Sequence, residues 1–315
     1  MRLRLVKQNT NFDFFTRWKL WLGISGLMMV VAFASFLLQG LNYGIDFRGG
    51  TTIRTESTRP VVISEYRDAI GTLELGDITI TEVFDPNFGP EQNVAMIRIQ
   101  AQDEQEAVTT ELIEAVEGAL KTARPDIKFI SVESVGPKVS GELINTAIIA
   151  VVLAIGAVLV YIWLRFEWQF AAGAVLALIH DVILTIGVFS EVQIRFDLAI
   201  IAALLTIVGY SLNDTVVVFD RVRENLRKYK NRPLKEVLNL SINETLSRTF
   251  MTSFTTLLAL IALFVLGGDV IRGFVFAMIW GIIVGTYSSI FVATAVLLYF
   301  GVKRDWSKPD ANAGN

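Results

Sequence analysis

LAIIAALLTIVGYSLNDTVVVF, residues 198–219, is an apolar run of helix length that carries one carboxylate, Asp214. An aspartate at the centre of a membrane helix costs about 2.5–3.5 kcal/mol on insertion scales, so such a group normally faces the bundle interior, a partner or a water path. The alternative is a buried aspartate that caps neighbouring backbone. Asp214 is therefore the first candidate functional residue of the chain.

Six runs of this kind predict an α-helical polytopic membrane protein. The chain has 315 residues, of which 53% are hydrophobic, and its mean hydropathy is +0.51. Each run reaches the roughly 17 residues that cross about 30 Å of hydrocarbon, which excludes a soluble protein. The runs are residues 20–38, 143–164, 170–189, 198–219, 250–266 and 274–300.

The runs divide the chain into segments whose charges predict an orientation. Residues 1–19 carry five Lys and Arg and residues 220–249 carry eight, whereas the short loops on the opposite side carry only Arg195 and Arg272. By the positive-inside rule both termini are cytoplasmic and the long segment is periplasmic. The predicted division is 1–19 cytoplasmic, 20–38 transmembrane, 39–142 periplasmic domain, 143–300 helices two to six with a basic cytoplasmic loop 220–249, and 301–315 cytoplasmic tail.

Composition excludes several classes of function. The exterior residues 40–138 hold seventeen Asp and Glu against nine Lys and Arg, which argues against a nucleic-acid surface. The chain has no cysteine and one histidine, so it has no disulfide framework and no Cys or multi-His metal cluster. No G-x-x-x-x-G-K-[ST] run is present, which excludes a P-loop ATPase. No cofactor is expected, and protons are the only coupling ion considered.

The exterior segment predicts a ferredoxin-like α+β domain. Alternating β-branched residues indicate strands at 51–55, 78–83, 94–99 and 129–132, and the run DPNFGP at 85–90 indicates a turn between the middle two. Helical spacing of apolar residues indicates helices at 63–73 and 104–122. The order βαββαβ is that of the split βαβ motif. Such a fold by itself assigns no activity.

The basic loop 220–249 contains a second helical pattern, with apolar residues at positions 234, 237, 238, 242 and 246 on one face. It predicts an amphipathic helix at the membrane surface, with a hinge helix free of lipid contact as the alternative. In the last membrane run, Gly281 and Gly285 form a G-x-x-x-G face for close helix packing.

A second candidate pair, His180-Asp181, lies in the third membrane run. At 1.5 Å per residue Asp181 is about 16 Å from the start of its run, near the midplane, and about 9 Å in height from Asp214. That separation suits a relay and is too long for a directly shared proton. His180 could pass protons because imidazole changes charge near neutral pH, and the alternative is a neutral interior histidine bonded to a neighbouring helix.

The fifth membrane run begins beside a cation, Arg248, at nearly the height of Asp214. A guanidinium next to a carboxylate favours the ionised acid, and its withdrawal in low dielectric favours the protonated acid. A motion that makes and breaks the pair would therefore load and unload a proton. The alternative for Arg248 is a snorkelling anchor. Asn213 is interpreted as a hydrogen-bond partner that orients Asp214. Helical spacing places further hydroxyls on the face of Arg248, at Thr249, Thr252 and Thr256.

Four groups of residues together resemble one family. They are GIDFRGG (44–50), HDV (180–182), GYSLNDT with DRVREN (209–215 and 220–225), and RT, TS and TTL (248–249, 252–253 and 255–257). The chain resembles the SecD/SecF family of protein-export membrane proteins over about residues 15–304. The resemblance lies in these motifs, in their order and in the predicted topology. The resemblance is specific because it combines all four groups.

The resemblance implies an accessory subunit of the Sec translocase rather than an enzyme, related to the resistance-nodulation-division transporters. It implies use of the proton-motive force to promote preprotein export across the bacterial inner membrane, with Asp214 and Arg248 as the coupling pair and Asp181 second to them. The partners implied are SecD, the SecYEG channel, YajC, YidC, the preprotein and membrane lipid. The glycine-rich motif opens the exterior domain, and its glycines are interpreted as a turn linking helix movement to domain movement. Its residues are Gly44, Asp46, Arg48, Gly49 and Gly50.

Two other functions compete with this prediction. A stand-alone proton-coupled small-molecule exporter of the same superfamily would share the relay but would need a substrate pocket or a larger exterior domain. An intramembrane aspartyl protease would use Asp181 and Asp214 as its two carboxylates, but these must share a proton, and the predicted difference in height opposes that.

Overall fold

The computed structural model describes residues 10–73, 75–101 and 110–302, and six spans of these residues are long and apolar enough to cross a membrane. The predicted six membrane helices are confirmed. Parts of the predicted terminal segments, residues 1–9 and 303–315, lie outside the described residues. The helices are α1 (Trp18–Gln39), α2 (Ile45–Arg48), α3 (Ile63–Ile70), α4 (Thr110–Ala123), α5 (Pro137–Arg165), α6 (Trp168–Val192), α7 (Leu198–Lys228), α8 (Leu234–Leu266), α9 (Gly268–Ser288) and α10 (Thr294–Phe300).

The segment between α1 and α5 forms a four-stranded antiparallel sheet, here called the sheet domain. Its strand order is β2-β3-β1-β4, with α3 after the first strand and α4 after the third. This is the predicted βαββαβ arrangement, which is therefore confirmed. The start of the second predicted helix, near residue 104, lies outside the described residues. The strands are β1 (Gly50–Ser57), β2 (Ile78–Val83), β3 (Asn93–Gln100) and β4 (Lys128–Val135).

One face of the sheet carries the core of this domain. Ile97 in the central β3 pairs with Ile53 on one side and Ile80 on the other, so three isoleucines form a row across the strands. Tyr66 of α3 and Leu120 of α4 are buried against that face. Burying each large apolar side chain contributes about 1.5–3 kcal/mol, which holds both helices on the sheet.

Small residues bring two helices of the bundle close together. A Cβ on Gly281 of α9 would lie 2.3 Å from Cδ1 of Ile207 in α7, and a Cβ on Gly285 would lie 3.0 Å from Cβ of Ser211. The predicted G-x-x-x-G packing face is therefore present, and it faces α7. By contrast, most residues in the apolar segments of α1, α5 and α8 are not buried by the rest of the protein. These three helices therefore form the outside of the bundle.

The segment 220–249 differs from the predicted loop. Helix α7 continues to Lys228 and α8 begins at Leu234, so only residues 229–233 are non-helical. The predicted amphipathic face is buried against α7, where Val237 and Ile242 pack on Val222. Polar contacts close the same hairpin, because Asn225 Nδ2 donates to Ser241 Oγ at 3.0 Å. The apolar face contacts a neighbouring helix instead of lipid because the extension of α7 covers it.

Candidate functional site

One buried carboxylate, Asp181 in α6, joins three helices at the centre of the bundle. Its side chain is fully buried. Its Oδ2 accepts a hydrogen bond from Ser211 Oγ of α7 at 2.6 Å and another from Ser288 Oγ of α9 at 2.8 Å. An intramolecular hydrogen bond contributes about 0.5–1.5 kcal/mol net, and leaving a buried partner unsatisfied costs about 1–3 kcal/mol. We call Asp181, Ser211 and Ser288 the hub, because together they tie α6, α7 and α9.

His180 is buried beside the hub. Its Nδ1 lies 3.0 Å from Asp181 Oδ1, and its ring stacks on Tyr287 with ring centres 6.1 Å apart. Tyr287 donates from its hydroxyl to the Trp21 carbonyl at 3.0 Å, which connects this interior to α1. His180 Nε2 is buried and has no hydrogen-bond partner among the described residues. The histidine therefore pairs with the acid next to it, not with a neighbouring helix.

Asp214 is buried on α7 three residues beyond Ser211, about 4.5 Å along the helix axis. Its Oδ2 is enclosed and has no hydrogen-bond partner within the described part of the chain. The charged group that acts on it is Arg248 of α8, and the neighbouring hydroxyl is Ser253. Across the described residues no direct ion pair joins Asp214 to Arg248. The site thus combines the carboxyl group of Asp214, one oxygen of which accepts no hydrogen bond from the described residues, with the guanidinium of Arg248, which is close but does not form an ion pair with it.

The two carboxylates do not form a dyad. Asp181 bonds to Ser211, Ser288 and His180, and no hydrogen bond between Asp181 and Asp214 occurs among the described residues. This arrangement opposes the aspartyl protease, which needs two carboxylates that share a proton. No group of three or more His, Asp or Glu side chains that could hold a metal ion is found in residues 10–73, 75–101 and 110–302.

The predicted bond from Asn213 to Asp214 is not formed by the described residues. Consecutive residues of an α-helix point about 100° apart, so Asn213 faces away from the buried side of α7. It is exposed and lines a polar cleft with Arg165, Arg227 and Arg248, which we call the basic cleft. Arg248 is exposed and lines this cleft at the end of the bundle away from the sheet domain.

Of the three threonines predicted on one face of α8, at positions 249, 252 and 256, only Thr256 forms a hydrogen bond to α7 among the described residues. Thr249 is buried and its Oγ1 has no hydrogen-bond partner in the described part of the chain. Thr252 donates to the Thr249 carbonyl of its own helix at 2.9 Å, and Thr256 accepts from Tyr210 of α7 at 3.4 Å. The buried hydroxyl that acts on Asp214 belongs to Ser253, one residue from Thr252.

Backbone packing explains how the serines reach Asp181. Since Gly285 has no Cβ, α9 approaches Ser211 closely, and Ser288 lies one turn further along the same helix. A π-helical turn, Ser289–Ala293, follows Ser288 directly. Such turns are rare and occur often at functional sites. The hub therefore sits where the helix carrying Ser288 changes its winding.

The glycine-rich motif connects the sheet domain to the helix that carries Asp214. Gly44 N donates to the Phe196 carbonyl at 2.8 Å. Asp46 Oδ2 accepts from the backbone N–H of Leu198, the first residue of α7, at 3.0 Å. The side chain of Asp197 accepts from Ala199 N at 3.1 Å as the ordinary N-cap. We call residues 44–50 with residues 195–198 the junction, since two chain segments meet there on the start of α7.

Two glycines of the motif form the turn into β1. Gly49 and Gly50 have φ angles of +75° and +130°, which residues with a Cβ rarely adopt. A Cβ on Gly50 would also lie 2.3 Å from the Ile99 carbonyl oxygen of β3. Arg48 stays exposed, with its guanidinium carbon 6.0 Å from the centre of the Tyr43 ring. The predicted backbone turn is present at Gly49 and Gly50.

Comparisons with known proteins match both halves of this site. The family model described as protein export membrane protein SecD/SecF, C-terminal, matches residues 115–303, and the SecD/SecF GG motif matches residues 34–61. The chain is 60% identical over 313 residues to the protein translocase subunit SecF of Cereibacter sphaeroides, covering 99% of this chain and 97% of the relative. The chain belongs to the SecF family of protein translocase subunits.

Other members of the SecF family and a solved structure agree with this assignment. Identity to the protein translocase subunit SecF of Rhodobacter capsulatus is 57% over 317 residues, covering 98% of this chain and 95% of that relative. The crystal structure of SecDF, a translocon-associated membrane protein from Thermus thermophilus, matches with a TM-score of 0.82 and 34% identity over 95% of this chain. This chain spans 40% of that longer SecDF chain. The fold is thus that of a SecF-family membrane protein.

Charges at the junction of this SecF-family chain are partly withdrawn from water. Burial, together with the positive charge of Arg195, lowers the pKa of Arg98 in β3 to about 10. Burial raises the pKa of Asp197, while Arg195, whose Nε lies 3.4 Å from its carboxylate, opposes that rise. The junction therefore holds its charges in a half-buried layer between the sheet and the start of α7.

Three serines of this SecF-family site were not predicted from the sequence. Ser211 and Ser288 bind Asp181, and Ser253 lies beside Asp214, yet isolated serines are common in membrane helices. The only sequence signal for Ser211 was its place three residues before Asp214, on the same helix face. For Ser288 it was the spacing from Gly285. Asp46 lay within the recognised motif, but nothing local indicated that it caps α7.

Proposed function

We propose that this protein is an accessory subunit of the Sec translocase that uses the proton-motive force, together with SecD, to promote preprotein export across the bacterial inner membrane. Protons are the coupling ion and no other cofactor is required. The single observation that carries the proposal is Asp214: a buried carboxylate with an unpartnered oxygen, beside a cation that forms no direct ion pair with it.

The chemistry of that pair supports reversible protonation. A buried carboxylate without a bonded cation favours its neutral form, and a close guanidinium favours its ionised form. Movement of Arg248 between the basic cleft and Asp214 would therefore switch the acid. One charge moved through 100 mV supplies about 2.3 kcal/mol. An energy of about 1.4 kcal/mol changes an equilibrium constant tenfold. Each proton can therefore change the ratio of two conformations of the bundle by more than tenfold.

The junction supplies a path from the proton site to the exterior domain. Asp214 and the Asp46-bonded residue Leu198 lie on one uninterrupted helix, α7. The hub adds α6 and α9 to the same unit through Asp181. Protonation that displaces α7 relative to α8 would therefore move the sheet domain, which in this proposal is periplasmic and acts on the emerging preprotein.

Orientation and partners follow from charge and from the relatives. The excess of Lys and Arg at the end with the basic cleft places both termini in the cytoplasm by the positive-inside rule. The relatives named as translocase subunits and the solved SecDF chain support SecD as the direct partner. We propose that the wider assembly includes the SecYEG channel, YajC and YidC, and that its cargo is the preprotein. The helices are surrounded by membrane lipid, and no nucleic acid takes part.

Removal of the titrating oxygen tests the proposal. Asp214→Asn keeps the shape of the side chain but cannot ionise, so we expect loss of the proton-dependent part of preprotein export in inner-membrane vesicles, with normal insertion of the subunit. Asp68→Asn is the matched control, because it makes the same change on an exposed residue of α3 in the sheet domain. Export by Asp214→Asn at the wild-type rate under an imposed gradient would refute the proposal.

The geometry of the cation is tested separately. Arg248→Lys keeps a positive charge but loses the planar fork that can bind a carboxylate through two N–H groups. We expect it to insert normally and to reduce proton-dependent stimulation. Stimulation equal to that of the wild type would show that the charge alone is sufficient, and would limit the role of Arg248 to electrostatics.

A further inference from the structure

An apolar groove runs along the outside of the bundle between α1 and α5, with α6 as its floor. Its volume is about 430 Å³. Phe33 of α1 lines one wall, Ile148 and Val152 of α5 line the other, and Ile186 of α6 lies beneath. The three wall residues are each more than half exposed in this chain. Because α1 and α5 are membrane spans, the groove opens towards hydrocarbon.

A cation lies over the end of this groove nearest the sheet domain. Tyr43 and Phe47 line that end, and Arg48 follows them with its guanidinium carbon 6.0 Å from the Tyr43 ring centre. Arg48 is exposed and takes part in none of the ion pairs formed by the described residues. The spans α1 and α5 end and begin here, at Gln39 and Pro137.

We propose that the groove binds one acyl chain of an anionic phospholipid, whose headgroup phosphate is held by Arg48. The walls offer only apolar contact, which suits an acyl chain, and a guanidinium at the membrane boundary suits a phosphate. The lining of the groove includes neither Asp214 nor Arg248, so lipid binding can be tested apart from proton coupling.

The shape of the groove and the charge at its end favour a lipid chain. On α5 the lining extends from Ile144 to Val152, about 12 Å along the axis. A slender acyl chain can lie along that length between α1 and α5. Arg48, which forms no ion pair with the described residues, supplies the positive charge that a phosphate headgroup requires.

Native mass spectrometry of the purified full chain tests the proposal, with dioleoyl phosphatidylglycerol and dioleoyl phosphatidylethanolamine as probes. We expect the wild type to retain the anionic lipid about fivefold more tightly, which is the effect of one basic residue near a membrane surface. Val152→Trp fills the groove and should lose binding of both lipids. Arg48→Gln should keep the zwitterionic lipid and lose the preference.

Two matched variants separate the site from general effects on the protein. Leu153→Trp places the same bulk on an equally exposed neighbour that does not line the groove, and Arg67→Gln removes an exposed arginine of α3. Both should bind lipid as the wild type does. Unchanged binding by Val152→Trp, or no headgroup preference in the wild type, would overturn the proposal. So would loss of the bound lipid when a SecD subunit is added, because the groove would then be a protein interface.

Discussion

Replacing Asp46 with alanine should uncouple the sheet domain from α7. Asp46 Oδ2 accepts from Leu198 N at 3.0 Å, so the substitution leaves one N–H of the first turn without its partner. Loss of a side-chain bond at a helix start costs about 0.5–2 kcal/mol, and loss of a negative charge there costs about 0.3–1 kcal/mol. A total of about 1–3 kcal/mol changes the population of a bonded junction by about 5–150-fold.

The assay is preprotein export into inner-membrane vesicles with and without an imposed proton gradient, together with hydrogen exchange of the first turn of α7. We expect Asp46→Ala to lose protection at Leu198 and most of the gradient-dependent stimulation. Asp197→Ala is the matched control: it removes the N-cap bond to Ala199, also in the first turn, but leaves the bond from Leu198 N to Asp46. Equal loss of stimulation in both variants, or full stimulation in Asp46→Ala, would refute the role of the junction.

Three further substitutions test packing, backbone and charge. Gly281→Ala should destabilise the detergent-solubilised protein by about 1–3 kcal/mol in thermal unfolding, because its Cβ would lie 2.3 Å from Cδ1 of Ile207; Ile207→Ala in the same chain should restore part of the loss. Gly50→Ala meets a backbone oxygen of β3 at 2.3 Å at a φ of +130°, so the sheet domain should become sensitive to limited proteolysis. Asp126, bonded to Arg59, has a pKa held below its ordinary range, so its ionised form stabilises the fold above about pH 4 and this contribution is lost as the pH falls through the lowered pKa. Asp126→Asn should therefore lower the melting temperature at pH 7, and the difference should narrow in acid.

Local patterns were sufficient for most of the fold. Each membrane span contains an apolar run long enough to cross the bilayer, and each strand has an alternating pattern, so local sequence located both. The extension of α7 to Lys228 was not predicted, because its polar residues resemble those of a loop. What keeps it helical is tertiary: Asn225 bonds to Ser241 across the hairpin, and Val222 covers the apolar face of α8. Such contacts are absent from any single stretch of sequence.

The charged half of the site could be predicted and its hydroxyl half could not. Asp181, Asp214 and Arg248 stand out because charge is costly in lipid. Ser211 and Ser288 become visible only once the neighbours of α6 are known, since the same residue types are unremarkable elsewhere. Asn213 is exposed and forms no hydrogen bond to Asp214 among the described residues. It follows the helical rotation of about 100° per residue and so faces the basic cleft.

The contacts between domain and bundle indicate which parts move together. The sheet domain is bonded to α7 through Asp46 and to the start of α9 through Asp269, whose Oδ2 accepts from Phe84 N at 2.7 Å. Those two helices are joined to α6 by the Asp181 hub. Helix α8, by contrast, has no buried residue beyond Ser253 in its membrane half. Little buried packing in the membrane half of α8 therefore opposes a change in the separation of Asp214 and Arg248, while the hairpin end of α7 and α8 stays joined by Asn225 and Ser241. In the proposed function, these bonds make α7 carry α6, α9 and the sheet domain with it, so displacement of Asp214 from Arg248 would turn the sheet domain as a unit.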